Sequence, residues 1–171
     1  MGMYPGGNII RVTPTMSEDA YADGDVLFVE TEIPNAVPSR GGVSKLLSAF
    51  VIDSKDIGDT DALFLFSEKK TTTVGTINAT ANISADNLVA NDVIGILKLD
   101  QDQATSAADL DNAKIHSLFS YAGAQDGVAP LMMLKAAENS TSVYVSGVLT
   151  SGTTPTYDAD SFQLIFHIEY L

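Results

Sequence analysis

The chain has 171 residues, of which 45% are hydrophobic, and its 22 acidic against 9 basic side chains give a net charge of −13. This hydrophobic fraction, with a mean hydropathy of +0.13, is typical of a folded protein and not of a disordered one. The charge argues against nucleic acid and anionic membranes as partners, because both are bound by clustered lysines and arginines.

Cysteine is absent, which excludes disulfides, thiolate catalysis and cysteine-ligated metals. The first residues, MGMYPGGNIIRV, do not join a basic stretch to an apolar one as a secretory signal does. No apolar run approaches the roughly 18 residues of a membrane span. We therefore expect a protein that is made and kept soluble, or one that leaves the cell by lysis or by a dedicated route.

Short apolar or alternating segments, separated by Gly, Asp and Pro turns, predict strands along most of the chain. The predicted strands are residues 8–13, 26–33, 43–53, 62–67, 93–99, 113–120, 131–136, 142–149 and 161–170. The sequence predicts one short helix, residues 84–90, with Ser84 as its N-cap.

Side-chain alternation assigns faces to the longer strands. One face of residues 26–33 is expected to carry Leu27, Val29, Thr31 and Ile33. In residues 43–53 one face groups Leu46 with Phe50 and Ile52, and the other carries Leu47, Ala49 and Val51. The last strand is expected to point Phe162, Leu164, Phe166, Ile168 and Tyr170 inward. Because residues 43–53 are apolar on both faces, we expect a central strand covered on both sides, with a neighbouring subunit as one candidate cover.

About eight to ten short strands with almost no helix indicate an all-β fold. We predict a single-domain antiparallel β-sandwich, jelly-roll-like, with at most one short helix. There is no domain boundary or repeat, so the domain is expected to span residues 1–171, with residues 1–7 as a candidate extended N-terminal arm.

Catalytic motifs are missing or weak. The chain has no Walker loop, dinucleotide-binding glycine motif, zinc-protease motif or serine nucleophile elbow, and the segment around Ser146 lacks the first glycine of such an elbow. His116 and His167 are the only histidines, and each lies in a predicted strand, where a structural or surface role is favoured over a base or a ligand. We expect no enzyme, no cofactor, no metal site and no small-molecule substrate.

Two groups of carboxylates resemble functional sites, but an ordinary structural role is favoured for each of them. Glu30 and Glu32 have a spacing that suits a glycosidase pair, but any solvated strand face shows it, and the chain has no Trp to stack a sugar. The acidic turn of residues 53–61 and the later pair of Asp158 and Asp160 do not match the EF-hand pattern. An ordinary acidic turn is favoured, and bound calcium is the alternative. The acids of the first turn are Asp53, Asp56, Asp59 and Asp61.

Three glycosylation sequons, at Asn78, Asn82 and Asn139, are attributed to chance.

The loop PNAVPSRGG, residues 34–42, precedes the longest predicted strand. Its prolines fix φ and lower the ordering cost, and Gly41 and Gly42 allow a tight return into the sheet. Arg40 offers a planar fork for a carboxylate. In so acidic a chain we expect Arg40 to pair either with an acid of its own fold or with one of a neighbouring subunit, and both remain open.

Four motifs, YADGD (21–25), IPNA (33–36), the paired glycines 41–42 and TPTY (154–157), lie within longer stretches that cover most of the chain. With these stretches the chain resembles a group of small virion proteins of tailed bacteriophages. The Thr-rich passage of residues 71–81 matches this group least.

The resemblance implies a capsid decoration, or cement, protein on the virion surface, made in the host cytoplasm. Its implied partners are the major capsid protein and further copies of itself, as a homotrimer. A protein bound across joints between capsid subunits adds interface area that must be broken before the shell opens. The residues expected to contact a subunit or the shell are Pro34, Asn35, Ala36, Val37, Pro38, Ser39 and Arg40.

Two other functions remain as alternatives. One is a structural role in a tail, neck or head fibre of the virion. The other is a carbohydrate-binding β-sandwich for host attachment, against which the missing Trp argues.

Overall fold

The computed structural model describes residues 6–55, 60–70, 74–100, 107–120 and 132–171, and these residues form two antiparallel sheets packed face to face. The elements are β1 Gly7–Val12, β2 Val26–Ile33, β3 Val43–Asp53, β4 Ala62–Ser67, α1 Ala85–Ala90, β5 Val93–Leu99, β6 Ala107–Asp109, β7 Lys114–Ser117, β8 Phe119–Ser120, β9 Met132–Lys135, β10 Val143–Leu149 and β11 Phe162–Tyr170.

Sheet I has the strand order β1-β11-β3-β7-β6, with β9 also paired to β3, and sheet II has the order β2-β10-β4-β5-β8. The first four strands alternate between the two sheets. The late strands β10 and β11 then insert between early strands, which is the connectivity of a jelly roll. The predicted fold class is confirmed.

Local sequence signals set most element bounds correctly. The predicted strands 26–33, 43–53, 62–67 and 93–99 coincide with β2, β3, β4 and β5. Ser84 caps α1, since its Oγ accepts a hydrogen bond from the Asn87 amide at 3.1 Å. Short polar caps of this kind satisfy one of the unpaired amides in the first helical turn.

The predicted strands differ most from the structure at β6, β7 and β8. The predicted strand 113–120 is wrong as one element, because β7 pairs within sheet I while β8 pairs within sheet II. Strand β6 was not predicted, since three residues, Ala-Ala-Asp, carry no readable alternation. Of the proposed arm 1–7, Gly7 already belongs to β1, and residues 1–5 lie outside the described residues, as does Leu131 of the predicted strand 131–136.

The core between the sheets is dominated by aromatic side chains of the inner faces. Phe66 of sheet II meets Phe166 of sheet I edge to face, with ring centroids 5.7 Å apart. Phe28 and Phe64 pack beside them with centroids 5.6 Å apart. All four side chains are fully buried, and aromatic pairs in this geometry stabilise a core beyond the area they bury.

A bulge in β3 changes which side chains face the core. Leu47 is the extra residue between two registers of the β3–β11 pairing, and it is 40% exposed. Leu46 therefore shares the buried face with Ala49 and Val51, and the predicted grouping of Leu46 with Phe50 is wrong. One extra residue reverses the alternation of all that follow it.

Strand β2 is irregular against β10 in the same way. Two register shifts surround the pairing of Gly147 with Phe28, so Leu27 and Phe28 both enter the main core while Val29 packs on the opposite side. The predicted grouping of Leu27 with Val29 is wrong for this reason. A Cβ atom at Gly147 would lie 2.8 Å from Cζ of Phe28 and closer still to Cε1.

The outer faces of the two sheets have different surroundings. On sheet II, Val26, Leu65 and Val148 form a second cluster with Val74, against which Leu88 of α1 packs. The chain from residue 77 to 81 runs beside the start of β2 through backbone hydrogen bonds. The part of the Thr-rich passage that the structure describes thus covers sheet II.

The outer face of sheet I carries apolar side chains that remain open to solvent. Ile9 of β1 is 52% exposed and Met133 of β9 is 49% exposed, in addition to the bulged Leu47. The predicted central position of the strand 43–53 is confirmed, because β3 pairs with β11 on one side and with β7 and β9 on the other.

Two motifs of the resemblance meet at one end of the sandwich. The Tyr21 amide donates to the Pro155 carbonyl at 2.9 Å, and the rings of Tyr21 and Tyr157 are 5.9 Å apart. The Tyr21 hydroxyl donates to the Leu27 carbonyl at 3.0 Å, and the hydroxyls of Tyr157 and Thr60 are hydrogen-bonded to each other. Burial raises the pKa of both phenols above their ordinary value. These motifs therefore have a structural role.

We predict that Gly147→Ala destabilises the protein by about 1–3 kcal/mol, because the added methyl group must displace the buried Phe28 ring. Gly152→Ala is the matched control, since nothing lies within 4 Å of the added Cβ, and it should change the free energy of unfolding by less than about 0.5 kcal/mol. Urea unfolding of both variants makes the comparison. Equal stability of the two would contradict the close approach of Gly147 to Phe28.

The tyrosine pair also predicts a loss of stability at high pH. In the unfolded chain Tyr21 and Tyr157 ionise near pH 10, whereas in the folded protein their raised pKa values keep them protonated. The folded state then holds more protons than the unfolded state, so stability falls as the pH rises above about 10. Urea midpoints from pH 8 to 11 measure this slope, and Tyr157→Phe should make it shallower. An unchanged slope in that variant would show that Tyr157 does not contribute.

Candidate functional site

The loop of residues 34–42 connects the edge strand β2 of sheet II to the central strand β3 of sheet I. It turns twice through left-handed backbone conformations, at Asn35 with φ of 53° and at Gly41 with φ of 64°. Asn and Gly are the residues that adopt this conformation most readily. The loop is thus a defined turn at one end of the sandwich.

The first half of the loop is anchored in the protein. Ala36 and Val37 are buried in the main core. The buried Ser44 Oγ donates to the Ala36 carbonyl at 2.5 Å, and the Tyr170 hydroxyl donates to the Asn35 carbonyl at 2.8 Å. Ala36 and Val37 therefore hold the loop in place. Because these two predicted contact residues are buried, the surface open to a partner is formed by the other residues of the loop.

The second half of the loop is an exposed tip, formed by Pro38, Ser39 and Arg40. The Gly42 amide closes it by donating to the Ser39 carbonyl at 2.9 Å. A Cβ at Gly42 would lie 2.8 Å from that same oxygen, so this turn requires glycine. The tip is held closed at its base.

Arg40 forms no ion pair with any carboxylate in the described part of the chain. Of the two expected pairings, the one with an acid of its own fold is not observed among these residues. None of the described carboxylates therefore occupies the guanidinium. Arginine is well suited to pairing with an acid because its fork binds a carboxylate through two parallel hydrogen bonds.

An open cleft of about 400 Å³ lies beside the loop. Gly41 contributes to it from the loop, and the ends of β4 and β9 form the rest; its lining is Gly41, Glu68, Lys69, Lys135, Ala136, Ala137 and Glu138. The Lys135 Nζ donates to both oxygens of Glu68, at 2.8 and 3.1 Å. The hydrogen bonds that Lys135 donates to Glu68 raise the pKa of Lys135. The cleft therefore presents charges of both signs.

The structure separates the two glutamates of the candidate glycosidase pair. Glu30 is buried, with 7% of its surface exposed, whereas Glu32 is exposed and accepts a hydrogen bond from Ser142 Oγ at 2.6 Å. A catalytic pair needs both carboxyl groups to face one substrate. The different surroundings of these two residues do not provide that arrangement.

The histidines and the candidate serine are distributed over different strands. His116 in β7 and Ser146 in β10 are buried, at 1% and 2% exposure. His167 lies on the outer face of β11, as predicted, with its ring 5.5 Å from that of Phe50. The structure does not bring these three residues together.

The two acidic groups are brought close to each other by one lysine. Lys55 donates to both carboxylate oxygens of Asp158, at 2.7 and 2.8 Å, and its backbone amide donates to the buried Asp53 at 2.9 Å. Asp56 and Asp59 of the first group lie outside the described residues. Within the described residues no group of three or more His, Cys, Asp or Glu side chains is placed to hold a metal ion.

Sequence reasoning missed the cleft, although it identified the loop. Glu68 and Lys135 are 67 positions apart, and neither lies in a motif. Their pairing arises because β4 and β9 belong to different sheets that meet at this end of the sandwich. No local signal in the sequence identifies such a pair.

Comparison with models of known protein families, with curated proteins and with solved structures finds no match to this chain. The resemblance to phage virion proteins therefore rests on the sequence motifs alone. In the described residues no helix is long and apolar enough to cross a membrane.

We predict that Ser44→Ala loosens the loop, because it leaves the buried Ala36 carbonyl without the hydroxyl that it accepts from. The expected loss of stability is about 1–3 kcal/mol, with faster amide hydrogen exchange at Val37 and Gly41. Ser48→Ala on the same strand is the control, since Ser48 is only half-buried, and it should change neither measurement. Equal exchange rates in the two variants would show that Ser44 does not anchor the loop.

Proposed function

We propose that the chain is a non-enzymatic structural protein of a phage virion, a decoration protein that binds the shell of major capsid protein and stabilises it. The observation that carries the proposal is the loop tip, in which buried anchors hold an exposed arginine that has no ion pair with the described carboxylates. The resemblance of the loop and strand motifs to phage virion proteins supplies the identity of the partner.

The anchored loop favours binding to another protein for a thermodynamic reason. A flexible loop must lose conformational entropy when a partner immobilises it, and that loss weakens the complex. In this chain the buried Ala36 and Val37, with the hydrogen bonds to Asn35 and Ala36, already hold the loop. Arg40 can then engage a carboxylate of the shell at little further entropic cost.

The proposal places the protein on the outside of the shell. There, a protein that contacts two capsid subunits at once stabilises the closed shell against the internal pressure. The stabilisation grows with the affinity of the protein for the closed shell. The high negative charge of the chain discourages nonspecific association in solution. Specific contacts at the loop would then decide where the protein binds.

The direct test mixes the purified protein with expanded capsids that lack it and sediments the particles. Co-sedimentation that saturates supports the proposal, and a protein that stays in the supernatant at every concentration contradicts it. The number of copies in an intact particle separates this role from the tail, neck or fibre alternative. Hundreds of copies indicate decoration, whereas a handful or a few tens indicate the alternative.

We predict that Arg40→Ala weakens shell binding about tenfold, which corresponds to roughly 1.4 kcal/mol for one arginine at the contact. The strand content measured by circular dichroism should stay unchanged, because Arg40 is exposed and forms no ion pair with the described carboxylates. Arg40→Lys keeps the charge but not the planar fork, so it should bind with intermediate affinity.

Lys70→Ala is the matched control, because Lys70 is also an exposed cation without an ion pair among the described residues. It should leave the binding curve unchanged. If both variants weaken binding equally, the contact depends on overall charge and not on the loop. If Arg40→Ala loses its β-sheet signal, the loop is instead an internal brace.

A further inference from the structure

Strand β1 lies at one edge of sheet I, and among the described residues it pairs only with β11. The Tyr170 amide donates to the Gly6 carbonyl at 3.0 Å, which makes these two residues a hydrogen-bonded pair of the antiparallel ladder. Hydrogen-bonded and non-hydrogen-bonded pairs alternate along such a ladder. The even-numbered residues of β1 therefore bond to β11, and the odd-numbered ones direct their N–H and C=O groups away from the sheet.

The outward-directed residues are Gly7, Ile9 and Arg11, and none of them has another backbone hydrogen bond among the described residues. Ile9 and Arg11 also expose their side chains, Ile9 at 52%. Natural proteins usually protect an open edge with lysine, proline or a bulge. The register of β1 against β11 is regular and without a bulge, so this edge can accept another strand.

We propose that β1 pairs antiparallel with β1 of a second copy of the chain, about a two-fold axis at Ile9. In this register Ile9 faces Ile9 of the partner subunit, and Arg11 faces Gly7 of the partner subunit. All of the facing residues direct their backbone groups outward, so each facing pair exchanges both of its hydrogen bonds. The two copies of sheet I then form one continuous sheet.

The charges on the outer face complement each other in this register. Gly7 lies opposite Glu169 in the β1–β11 pairing, so Arg11 faces Glu169 of the partner subunit across a glycine. The two Cα atoms are about two strand spacings apart, roughly 10 Å, and Gly7 puts no side chain between them. The arginine and glutamate side chains are long enough to bridge that distance. By the two-fold symmetry, the same ion pair occurs twice in the dimer.

Neither charge has an ion pair in its own chain among the described residues. Lys45 is the cross-strand neighbour of Glu169 on β3, yet the two do not form an ion pair. Arg11 of the partner subunit would therefore form an ion pair with Glu169. This complementarity is the reason to assign a second copy to the edge and not an unrelated strand.

This contact is isologous, so it closes at two chains, whereas the trimer implied by the resemblance needs a different, head-to-tail contact. It also concerns only copies of the chain itself. It stands whether or not the protein binds a capsid, and its test uses the purified protein alone.

Cross-linking provides that test, because the chain has no cysteine and a single introduced thiol can react only with a second copy. In the proposed register the Cα atoms of the two Ile9 residues are about 5.5 Å apart, which suits a disulfide. Under mild oxidation the Ile9→Cys variant should form covalent dimers at least roughly tenfold faster than the Met133→Cys variant, since the dimer raises the local thiol concentration. Met133 is the matched control, being 49% exposed on the same face. Equal rates would overturn the proposal.

Exchange of the two charges tests the ion pair separately. These variants carry no introduced cysteine, and sedimentation measures their association. Arg11→Glu and Glu169→Arg should each raise the dimer dissociation constant about tenfold, and the double variant should restore it to within roughly threefold. Lys70→Glu changes the net charge as Arg11→Glu does and should have little effect. A particle of one or three chains at all concentrations, or a double variant no better than the single ones, would overturn the two-fold contact.

Discussion

The contact of Phe66 in sheet II with Phe166 in sheet I holds the two sheets together, and the remaining features depend on it. A sheet has two faces, and the core uses one face of each. The second, outer face is covered to a different extent in the two sheets. Sheet II is covered by residues 74–90 of its own chain, whereas no described segment covers the outer face of sheet I or pairs with the outer edge of β1. The surfaces proposed for partners thus belong largely to sheet I.

One side chain joins the two proposed surfaces. The Tyr170 hydroxyl accepts a hydrogen bond from Asn8 Nδ2 of β1 at 2.9 Å and donates to the Asn35 carbonyl of the loop at 2.8 Å. Because Tyr170 is the last residue of β11, the loop and the edge strand are both positioned by the same element. A second copy bound at β1 would therefore place two copies of the 34–42 loop in a fixed geometry. Two linked weak contacts with a shell bind far more tightly than one.

Prediction from the sequence was accurate where neighbouring residues determine the structure. Alternation located β2 and β3 to the residue, and a single serine identified the start of α1. It failed where a distant pairing determines the structure, as at the bulged Leu47, which reverses the faces of β3. The cleft and the β1 edge were missed for the same reason, since Glu68 meets Lys135 only through the packing of two sheets. The 34–42 loop was recognisable because prolines and glycines mark turns locally.

Strand β11 lies between β1 and β3, although it is the last strand of the described chain and they are among the first. Sheet I therefore cannot be completed during synthesis until residues up to Tyr170 have left the ribosome. Until then β1 and β3 lack their shared neighbour, and their apolar residues remain exposed to other nascent chains. Topologies dominated by such distant pairings fold slowly, in milliseconds to seconds. The cell thus makes a protein whose sheet is completed in one late step, and conditions that delay this step should cause aggregation before the fold is complete.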